Sequence, residues 1–396
     1  MSGIQMKNLL DYVANTGPAI LGPPEQIVNQ IQRNSYALGR FMSGPAAEFL
    51  QGGNKILATL YLDHQSSFQI IDPNQDFSYT NPQKDKVIQT DWAFTVDSMT
   101  WLEQEVMLQS GSTGGSNIAT KYRDMIYSKM QGKYQSMIDG WEDILWTPPA
   151  GAQTYASMEG DGAGRPYSIP AFVHENAGNN GGFDANWTNL HGQPLSVYGD
   201  RFDNYRGTYD PGQTSTAEDD HLFSGFDDVA VEIGYRPPGF KDEYFEGDNS
   251  YPHGNKWAQS MYIMTSKAGV KQVMRAHRAS NDSLINPQDA QYAGPSWRGV
   301  PIMDVATLDK AELYTDGSGG FVTESDNSVD EAGPRYYFLN PKYLKMIWHS
   351  DKFFSVRDPK EPTDKIGVFV TVCEAWGNMI CTSRRHQGIL SPVASA

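Results

Sequence analysis

The stretch SNIATKYRDMIYSKMQGKYQSMIDGWEDILWTPP, residues 116–149, carries the strongest periodic signal in this sequence. Its apolar side chains recur at steps of three and four residues, the spacing of one face of an α-helix. They are Ile118, Tyr122, Met125, Ile126, Met130, Tyr134, Met137, Ile138, Trp141 and Leu145. A Ser-Asn pair can cap this helix, and a Pro-Pro pair stops it. The pattern predicts a structural spine roughly 45 Å long, in which Gly132 and Gly140 indicate a bend or a close backbone approach.

Two β-rich segments lie ahead of the helix, at 55–71 and 86–98, and turn-forming residues fill the interval between them. This arrangement predicts a long hairpin that projects from the body, because its arms exceed the usual strand length. Two strands alone cannot cover both of their faces, so the apolar side chains of the hairpin need cover from outside it. The first 54 residues contain only short apolar stripes, which predicts an arm that lies against something else.

The rest of the chain contains both helical and strand patterns, and the expected fold class is α+β. Helices are predicted at 216–229 and 267–279, and strands at 257–266, 297–305 and 334–340, with a short helix at 341–348. Near the C-terminus, two strands flank Ala375-Trp376-Gly377-Asn378, which predicts a hairpin there.

The string CTSRRHQGIL, residues 381–390, begins within the second strand of that predicted hairpin and contains side chains typical of active sites. Cys381, Ser383 and His386 suggest a nucleophile beside its base. On a regular strand, however, residues an odd number apart point to opposite faces, so neither Cys381 nor Ser383 faces the same side as His386. We therefore favour a structural role over a catalytic one for this strand, in which Arg384 and Arg385 form ion pairs with acids of this chain or a neighbouring one.

No enzyme, metal or cofactor motif emerges elsewhere, so the chain is predicted not to be an enzyme. The net charge of −16 argues against sequence-independent binding to the phosphates of nucleic acids. No apolar run approaches the length of a membrane span and no signal-peptide core is present, which favours a cytoplasmic origin without membrane contact. Whether Cys373 and Cys381, the two cysteines, pair depends on the length of the predicted turn and stays open.

The order of these elements, from arm, projecting hairpin and spine helix to loop-rich middle and C-terminal hairpin, resembles the major capsid proteins of tailed bacteriophages, of the short-tailed type, with the Hong Kong 97 fold. Local strings agree with it: WRGVPIMDVATLD (297–309), YFLNPKYLKMIWHSDKFF (337–354) and VTVCEAWGNMICTSRRHQGIL (370–390). The resemblance spans essentially the whole chain, although no single motif is diagnostic.

The resemblance implies five segments. They are an N-terminal arm at 1–54, an extended loop at 55–100, a peripheral domain with the spine helix at 101–149, an axial domain with a loop-rich insertion at 150–350, and peripheral strands with the C-terminal tail at 351–396. In the resembling fold a neighbouring subunit covers the extended loop. The residues expected at subunit interfaces are Tyr61, Phe68, Lys84, Lys86, Trp92, Arg384 and Arg385.

The implied function is an icosahedral head shell, built from hexamers and pentamers of this chain, that encloses double-stranded DNA without sequence-specific binding. About fifty residues precede the extended loop without a long charged helix, so a separate scaffolding protein is expected, with a portal and an optional decoration protein as further partners. The expected location is the virion capsid, assembled in the bacterial host cytoplasm. Some relatives cross-link a loop lysine to a neighbour, but nothing identifies a partner for Lys84 or Lys86.

Two other functions stay open. An encapsulin-like compartment protein would share the fold and hold enzyme cargo. The Asp, Asn, Trp and Tyr residues of 151–255 suggest instead a carbohydrate-binding or carbohydrate-active protein. The missing signal peptide weakens this last reading, as do apolar segments outside that region that suit extended contacts between subunits.

Overall fold

The structure is a computed structural model. It describes residues 37–42, 45–61, 85–102, 118–146, 166–173, 189–191, 193–194, 203–209, 221–234, 261–279, 295–298, 300–308, 314–315, 321–322, 333–363 and 366–392. The helices in these ranges are α1 (Leu38–Met42), α2 (Ile118–Trp146), α3 (Ile169–Phe172), α4 (His221–Glu232) and α5 (Lys267–Ala279). The strands are β1 (Ala47–Leu50), β2 (Lys55–Tyr61), β3 (Asp85–Asp91), β4 (Ala93–Leu102), β5 (Asn189–Leu190), β6 (Gln193–Pro194), β7 (Tyr205–Tyr209), β8 (Tyr262–Thr265), β9 (Ser296–Trp297), β10 (Val300–Asp304), β11 (Tyr314–Thr315), β12 (Phe321–Val322), β13 (Tyr336–Leu339), β14 (Leu344–His349), β15 (Ser355–Val356), β16 (Val368–Cys381) and β17 (Gly388–Pro392).

The chain divides into two compact units. The described part of the first unit lies within Phe94–Trp141 and His349–Trp376. The second contains Ser35–Ala93, Glu142–Trp348 and Gly377–Ala396, so far as these are described. The mixture of helices and sheets agrees with the α+β class expected from the sequence. The boundaries of the five segments that the resemblance implies stay predictions.

The first unit is built from a sheet with the spine helix on one face. β4 and β15 both pair with β16. The indole nitrogen of Trp141 donates a hydrogen bond to the Thr95 hydroxyl (2.9 Å), and Lys133 forms an ion pair with Asp97 (2.9 Å). These contacts join the helix to alternate residues of β4, which lie on one face of the strand.

The long helix predicted from the apolar stripe is confirmed as α2, which extends from Ile118 to Trp146. The C-terminal end of the stripe is buried, with Met137, Trp141 and Leu145 at 6%, 1% and 0% exposure. Gly140 is exposed, and a Cβ atom added to it would meet no other atom within 4 Å. The same holds for Gly132, so neither glycine marks a close backbone approach by any residue that the structure describes.

A six-stranded sheet in the order β7-β17-β13-β8-β10-β9 forms the centre of the second unit. β17 pairs in parallel with β7, and β13 pairs antiparallel with both β17 and β8. Both α4 and α5 pack on one face, because the ring of Tyr336 lies 4.9 Å from that of Phe226 in α4 and its hydroxyl donates to the carbonyl of Gly269 in α5. Together they enclose a core lined by Tyr209, Leu222, Phe226, Val229, Ala230, Ile233, Met261, Ile263, Val273, Trp297, Val300, Ile302, Tyr336, Phe338 and Leu390.

The described end of the predicted N-terminal arm belongs to the core of the second unit. The carboxylate of Glu142, in the last turns of α2, accepts hydrogen bonds from the backbone amides of Ala37 and Leu38 (3.1 and 2.7 Å). Trp348 donates its indole N–H to the carbonyl of Phe41 (2.8 Å). Because Leu38 and Phe41 are almost fully buried, this segment is an integral part of its own subunit.

The hairpin predicted near the C-terminus is wrong, because β16 continues without a turn through Trp376-Gly377-Asn378. Cys373 and Cys381 therefore lie eight residues apart on one strand, about 26 Å at strand spacing, and both are free and buried. That separation rules out a disulfide between them.

The helix predicted at 341–348 is also wrong. Most of that segment is strand β14, and Leu344 pairs with Cys381 while Trp348 pairs with Gly377. Its leucine, methionine and lysine residues favour a helix, but hydrogen bonds to a long neighbouring strand override that local preference.

The second arm of the long hairpin is divided between two strands. β3 pairs with β2 in the register Lys55↔Asp91 to Tyr61↔Asp85. β4 then leaves this ribbon and pairs with β16. The sequence predicts 86–98 as one arm because β-propensity continues unbroken through Trp92, where the change of partner occurs. Residues 62–84, which include most of the turn-forming interval between the predicted arms, lie outside the described residues.

Candidate intersubunit surfaces

The structure separates the predicted interface residues into surface and interior positions. Lys86 on β3 and Arg385 are exposed. Trp92 and Arg384 are buried, at 6% and 1% exposure. The side chain of Tyr61, at the end of β2, is not described, and Phe68 and Lys84 lie outside the described ranges.

Arg384 is held in the interior of the second unit by two other segments of the same chain. Its Nε donates to the carbonyl of Phe172 (2.8 Å), and one terminal nitrogen donates to the amide oxygen of Asn204 (2.9 Å). The carboxylate of Asp203 lies 3.8 Å from the other terminal nitrogen. The sequence left open whether the acidic partner belongs to this chain or to a neighbouring one, and Asp203 of the same chain is that partner. Arg384 is therefore disfavoured as an interface residue, because its guanidinium has almost no exposed surface with which to contact another copy.

Trp92 likewise finds its cover inside its own subunit. Its indole nitrogen donates to the carbonyl of Gly53 (2.9 Å), at the turn that leads into β2. The ring therefore stabilises the base of the hairpin through a contact within its own chain.

The string that suggested a nucleophile forms a local turn. Residues Arg384–His386 form a single 3-10 turn. The regular strand that would place Ser383 and His386 on opposite faces is therefore interrupted here. This turn brings the Ser383 hydroxyl to 2.8 Å from Nδ1 of His386, whose ring stacks on Tyr343 at 4.2 Å. The opposite-face prediction is thus wrong for this pair, whose contact closes the turn.

The thiol of Cys381 is unsuited to nucleophilic chemistry. It is fully buried, and this burial raises its pKa to about 12, although nearby Arg384 acts in the opposite direction. The nucleophile in cysteine chemistry is the thiolate, which is essentially absent at neutral pH in such surroundings.

Nowhere in the described part of the chain do three or more His, Cys, Asp or Glu side chains gather as around a metal ion. No described helix combines the length and apolar character of a membrane span.

His191 forms an interior junction that the sequence reading missed. Its Nδ1 lies 2.6 Å from the Thr90 hydroxyl on β3, and its Nε2 accepts a long hydrogen bond from the amide of Cys381 (3.4 Å). The carbonyl of His191 also accepts from the amide of Gln89 (2.8 Å). Complete burial lowers the pKa of this imidazole to about 3, so it is neutral under physiological conditions. The base of the hairpin is therefore fastened to the end of β16.

The hairpin has one buried and one open face at its described base. Ile56 and Ile88 are 2% and 0% exposed, whereas Leu57 and Val87 on the opposite face are 63% and 50% exposed. Leu57 and Val87 lie on neighbouring strands, one diagonal step apart in the β2–β3 register. Two large apolar side chains side by side in water are a candidate contact surface.

β4 in the first unit presents a second open apolar face. Its burial alternates along the strand: Met99 and Trp101 are buried, while Phe94, Val96 and Leu102 are 52%, 62% and 43% exposed. The buried face is the one that contacts α2. The Phe94 ring meets Trp376 of β16 edge to face at 4.7 Å, which extends the apolar surface to a second strand.

These open faces belong to a fold shared with proteins of phage capsids. The structure resembles one titled "Cyanophage A-1(L) capsid asymmetric unit" with a TM-score of 0.54 and 10% sequence identity, covering 94% of this chain and 99% of that chain. A structure titled "Mycobacterium phage Bobi" matches with a TM-score of 0.50 and 8% identity, covering 97% of this chain and 98% of that one. No protein-family model matches the chain, and no curated protein matches it significantly. The chain thus shares the fold of a phage capsid structure along nearly its whole length, as the resemblance of its sequence to phage capsid proteins predicts.

Proposed function

We propose that this chain is the major capsid protein of a tailed bacteriophage, which self-assembles into an icosahedral head shell around double-stranded DNA. The observation that carries the proposal is the match of nearly the entire chain to nearly the entire length of a capsid subunit. Shared fold does not by itself establish function. The exposed apolar faces on β4 and on the hairpin add support, because a subunit of a shell needs such surfaces for its neighbours.

In this proposal the first unit corresponds to the peripheral domain, and the six-stranded sheet with α4 and α5 corresponds to the axial domain. The outer faces of the hairpin and of β4 are the subunit contacts, and the exposed residues Lys86 and Arg385 remain candidate interface residues. A separate scaffolding protein, a portal and an optional decoration protein are the expected partners. The particle forms in the host cytoplasm and the chain performs no enzymatic reaction.

The acidic charge of the subunit suits a container for DNA. A net charge of −16 disfavours tight binding of phosphates by the wall and permits the packaged duplex to slide. An encapsulin-like compartment would have the same fold, but its contents would be protein. The carbohydrate-binding reading draws no support from the fold comparison.

Electron microscopy and size-exclusion chromatography test the proposal. Co-expressed with the scaffolding protein of its phage, the 44.0 kDa chain is expected to elute as megadalton particles that appear as closed shells. Particles from infected cells should contain nuclease-protected double-stranded DNA, whereas an encapsulin-like shell would contain protein cargo. Recovery of only monomers or small oligomers across salt and pH would contradict the proposal.

A further inference from the structure

The outward face of α4 carries an acidic stripe, defined by Asp228 and Glu232. They are one helical turn apart and both are exposed, and Val231 beside them is 72% exposed. The inward face of the same helix is buried, as Phe226 and Val229 at 0% exposure show. The carboxylates also act on Tyr205 next to them, whose pKa is raised first by burial and then by Glu232 and Asp228.

The outward face of α5 carries a basic stripe, defined by Lys267, Lys271 and Arg275. These three side chains recur every fourth residue and are exposed. Met274, next to Arg275, is 42% exposed, whereas Val273 on the inward face is fully buried. The basic stripe thus resembles the acidic one, because exposed charged side chains lie beside one exposed apolar side chain. The charges of the two stripes have opposite signs.

The two stripes do not neutralise each other within one chain. Asp228, Glu232, Lys271 and Arg275 form no ion pair with any residue that the structure describes. Asp227, which neighbours the acidic stripe, is instead paired with Arg298 at 2.7 Å. Both helices lie on the same face of the six-stranded sheet, and each stripe therefore faces away from the core that the helices share.

We propose that the acidic stripe of α4 in one copy of this chain docks against the basic stripe of α5 in a second copy. This inference rests on the proposed function, which requires many copies to associate. The carboxylates of one copy would face Lys271 and Arg275 of the next, and Val231 and Met274 would exclude water between them. Because the two stripes differ, the contact is head-to-tail and can repeat from copy to copy.

A second copy explains the pair of stripes better than nucleic acid does. DNA would be attracted by the basic stripe and repelled by the acidic stripe on the neighbouring helix and by the net charge of −16. A second copy satisfies both stripes at once. Each exposed ion pair contributes only about 0.2–1 kcal/mol, but a contact that is repeated between all copies multiplies that contribution across the assembly.

Charge reversal and charge exchange test the contact. One variant carries Asp228→Lys and Glu232→Lys, a second carries Lys271→Glu and Arg275→Glu, and a third carries all four changes. Sedimentation velocity of the free subunits should show that each double variant associates about tenfold more weakly than the parent. The four-fold variant, which has the net charge of the parent, should recover association. So should an equimolar mixture of the two double variants, because each supplies the charge that the other lacks.

The outcomes separate this inference from the proposed function. Circular dichroism first establishes that each variant is folded, which is expected because all four positions are exposed. If the parent forms shells but the exchange variant and the mixture do not recover association, the inference fails and the proposed function stands. If stripe-dependent association occurs without shells under any condition, the proposed function fails and the contact stands. If the Lys271→Glu and Arg275→Glu variant loses only DNA retention, the basic stripe belongs to nucleic acid and the inference is overturned.

Discussion

Arg384 is a single charged side chain that joins three parts of the second unit. It binds the carbonyl of Phe172 and the amide of Asn204, and it lies beside the carboxylate of Asp203. A guanidinium at 1% exposure is stable only where its donors are satisfied and a counter-charge is near. Arg385, the next residue, is exposed. Two adjacent arginines with the same chemistry therefore have different roles.

Replacement of Arg384 by methionine is expected to lower the free energy of unfolding by about 3–5 kcal/mol, because it leaves the carbonyl, the amide and Asp203 without their partner. Chemical denaturation of the free subunit measures this difference. The matched control is Arg385→Met, which should change the free energy of unfolding by less than about 0.5 kcal/mol. Equal effects of the two substitutions would contradict the structural role assigned to Arg384.

His191 links the protonation state of one residue to the stability of the second unit. The imidazole is neutral in the folded chain because burial lowers its pKa from 6.5 to about 3. In the unfolded chain it regains its usual pKa and binds a proton below pH 6.5. The unfolded state therefore binds more protons, and folding stability falls as the pH drops from 6.5 towards 3.

We expect His191 to contribute a loss of about 2–3 kcal/mol in the free energy of unfolding between pH 6.5 and pH 4.5. The His191→Gln variant should lack this contribution and show a correspondingly shallower pH dependence, even if it is less stable at pH 7. Denaturant titrations at several pH values measure both slopes. An unchanged slope in His191→Gln would show that the histidine does not titrate on unfolding.

At the scale of elements, β16 shows why turn-forming residues can lie inside a strand. Gly377 pairs with Trp348, and a Cβ atom added to it would lie 2.6 Å from that indole ring and 2.9 Å from the carbonyl of Ile347. The amide side chain of Asn378 accepts from the backbone N–H of Tyr167 (2.9 Å) and donates to the carbonyl of Asp91 (2.7 Å). Close approach requires the glycine, and bridging requires the asparagine.

The Gly377→Ala substitution is expected to cost about 1–3 kcal/mol of folding free energy, because the added methyl group meets an aromatic ring and a backbone carbonyl that cannot move freely. A lower midpoint of denaturation in the free subunit would register the change. If the variant is as stable as the parent, β14 and β16 pack less closely here than the structure indicates.

Gly140→Ala provides the opposite case within α2. This glycine is exposed inside a regular helix and has open space at its Cβ position. Alanine favours the helix over glycine by about 0.5–1 kcal/mol, so the free energy of unfolding should rise by that amount. A stabilised subunit that no longer assembles would indicate that another copy approaches the helix at this position.

At the scale of the whole molecule, the chain divides its apolar surface between its own cores and faces that stay exposed. The hairpin illustrates the division, since Ile56 and Ile88 are buried while Leu57 and Val87 are exposed on the opposite face. A two-stranded ribbon is marginal by itself, and here its base is supported by Trp92 and His191 of the same subunit. The base thus does not depend on the exposed face for its support, and that face is the one we propose as a contact between copies.

The double substitution of Leu57 and Val87 by serine is expected to leave the free energy of unfolding within about 0.5 kcal/mol of the parent, because both side chains are largely exposed. Shell formation, followed by light scattering and electron microscopy, should be impaired. The control Ile88→Ser removes a fully buried side chain on the same strand and should destabilise the subunit itself by about 2–4 kcal/mol. Normal shells from the double variant would show that this face forms no contact between subunits.

The sequence by itself determined the features that depend on local periodicity. The stripe in α2 repeats at helical spacing over eight turns, and the inward residues of α5 do so over a shorter length, so both helices were predictable from residue order alone. The strands at Tyr262–Thr265 and Tyr336–Leu339 followed from β-branched and aromatic residues in the same way. The basic stripe was also readable, because Lys267, Lys271 and Arg275 recur every fourth residue.

Only the tertiary structure decided the features that depend on residues distant in the chain. Gly377 and Asn378 have the composition of a turn, but a tryptophan about thirty residues away and a tyrosine more than two hundred residues away make them part of a strand. Arg384 and Arg385 are indistinguishable in sequence, and only the positions of Phe172 and Asn204 place one inside and the other outside. Local patterns report the conformation that a segment prefers, whereas burial and partner choice are set by contacts between segments, which no local pattern contains.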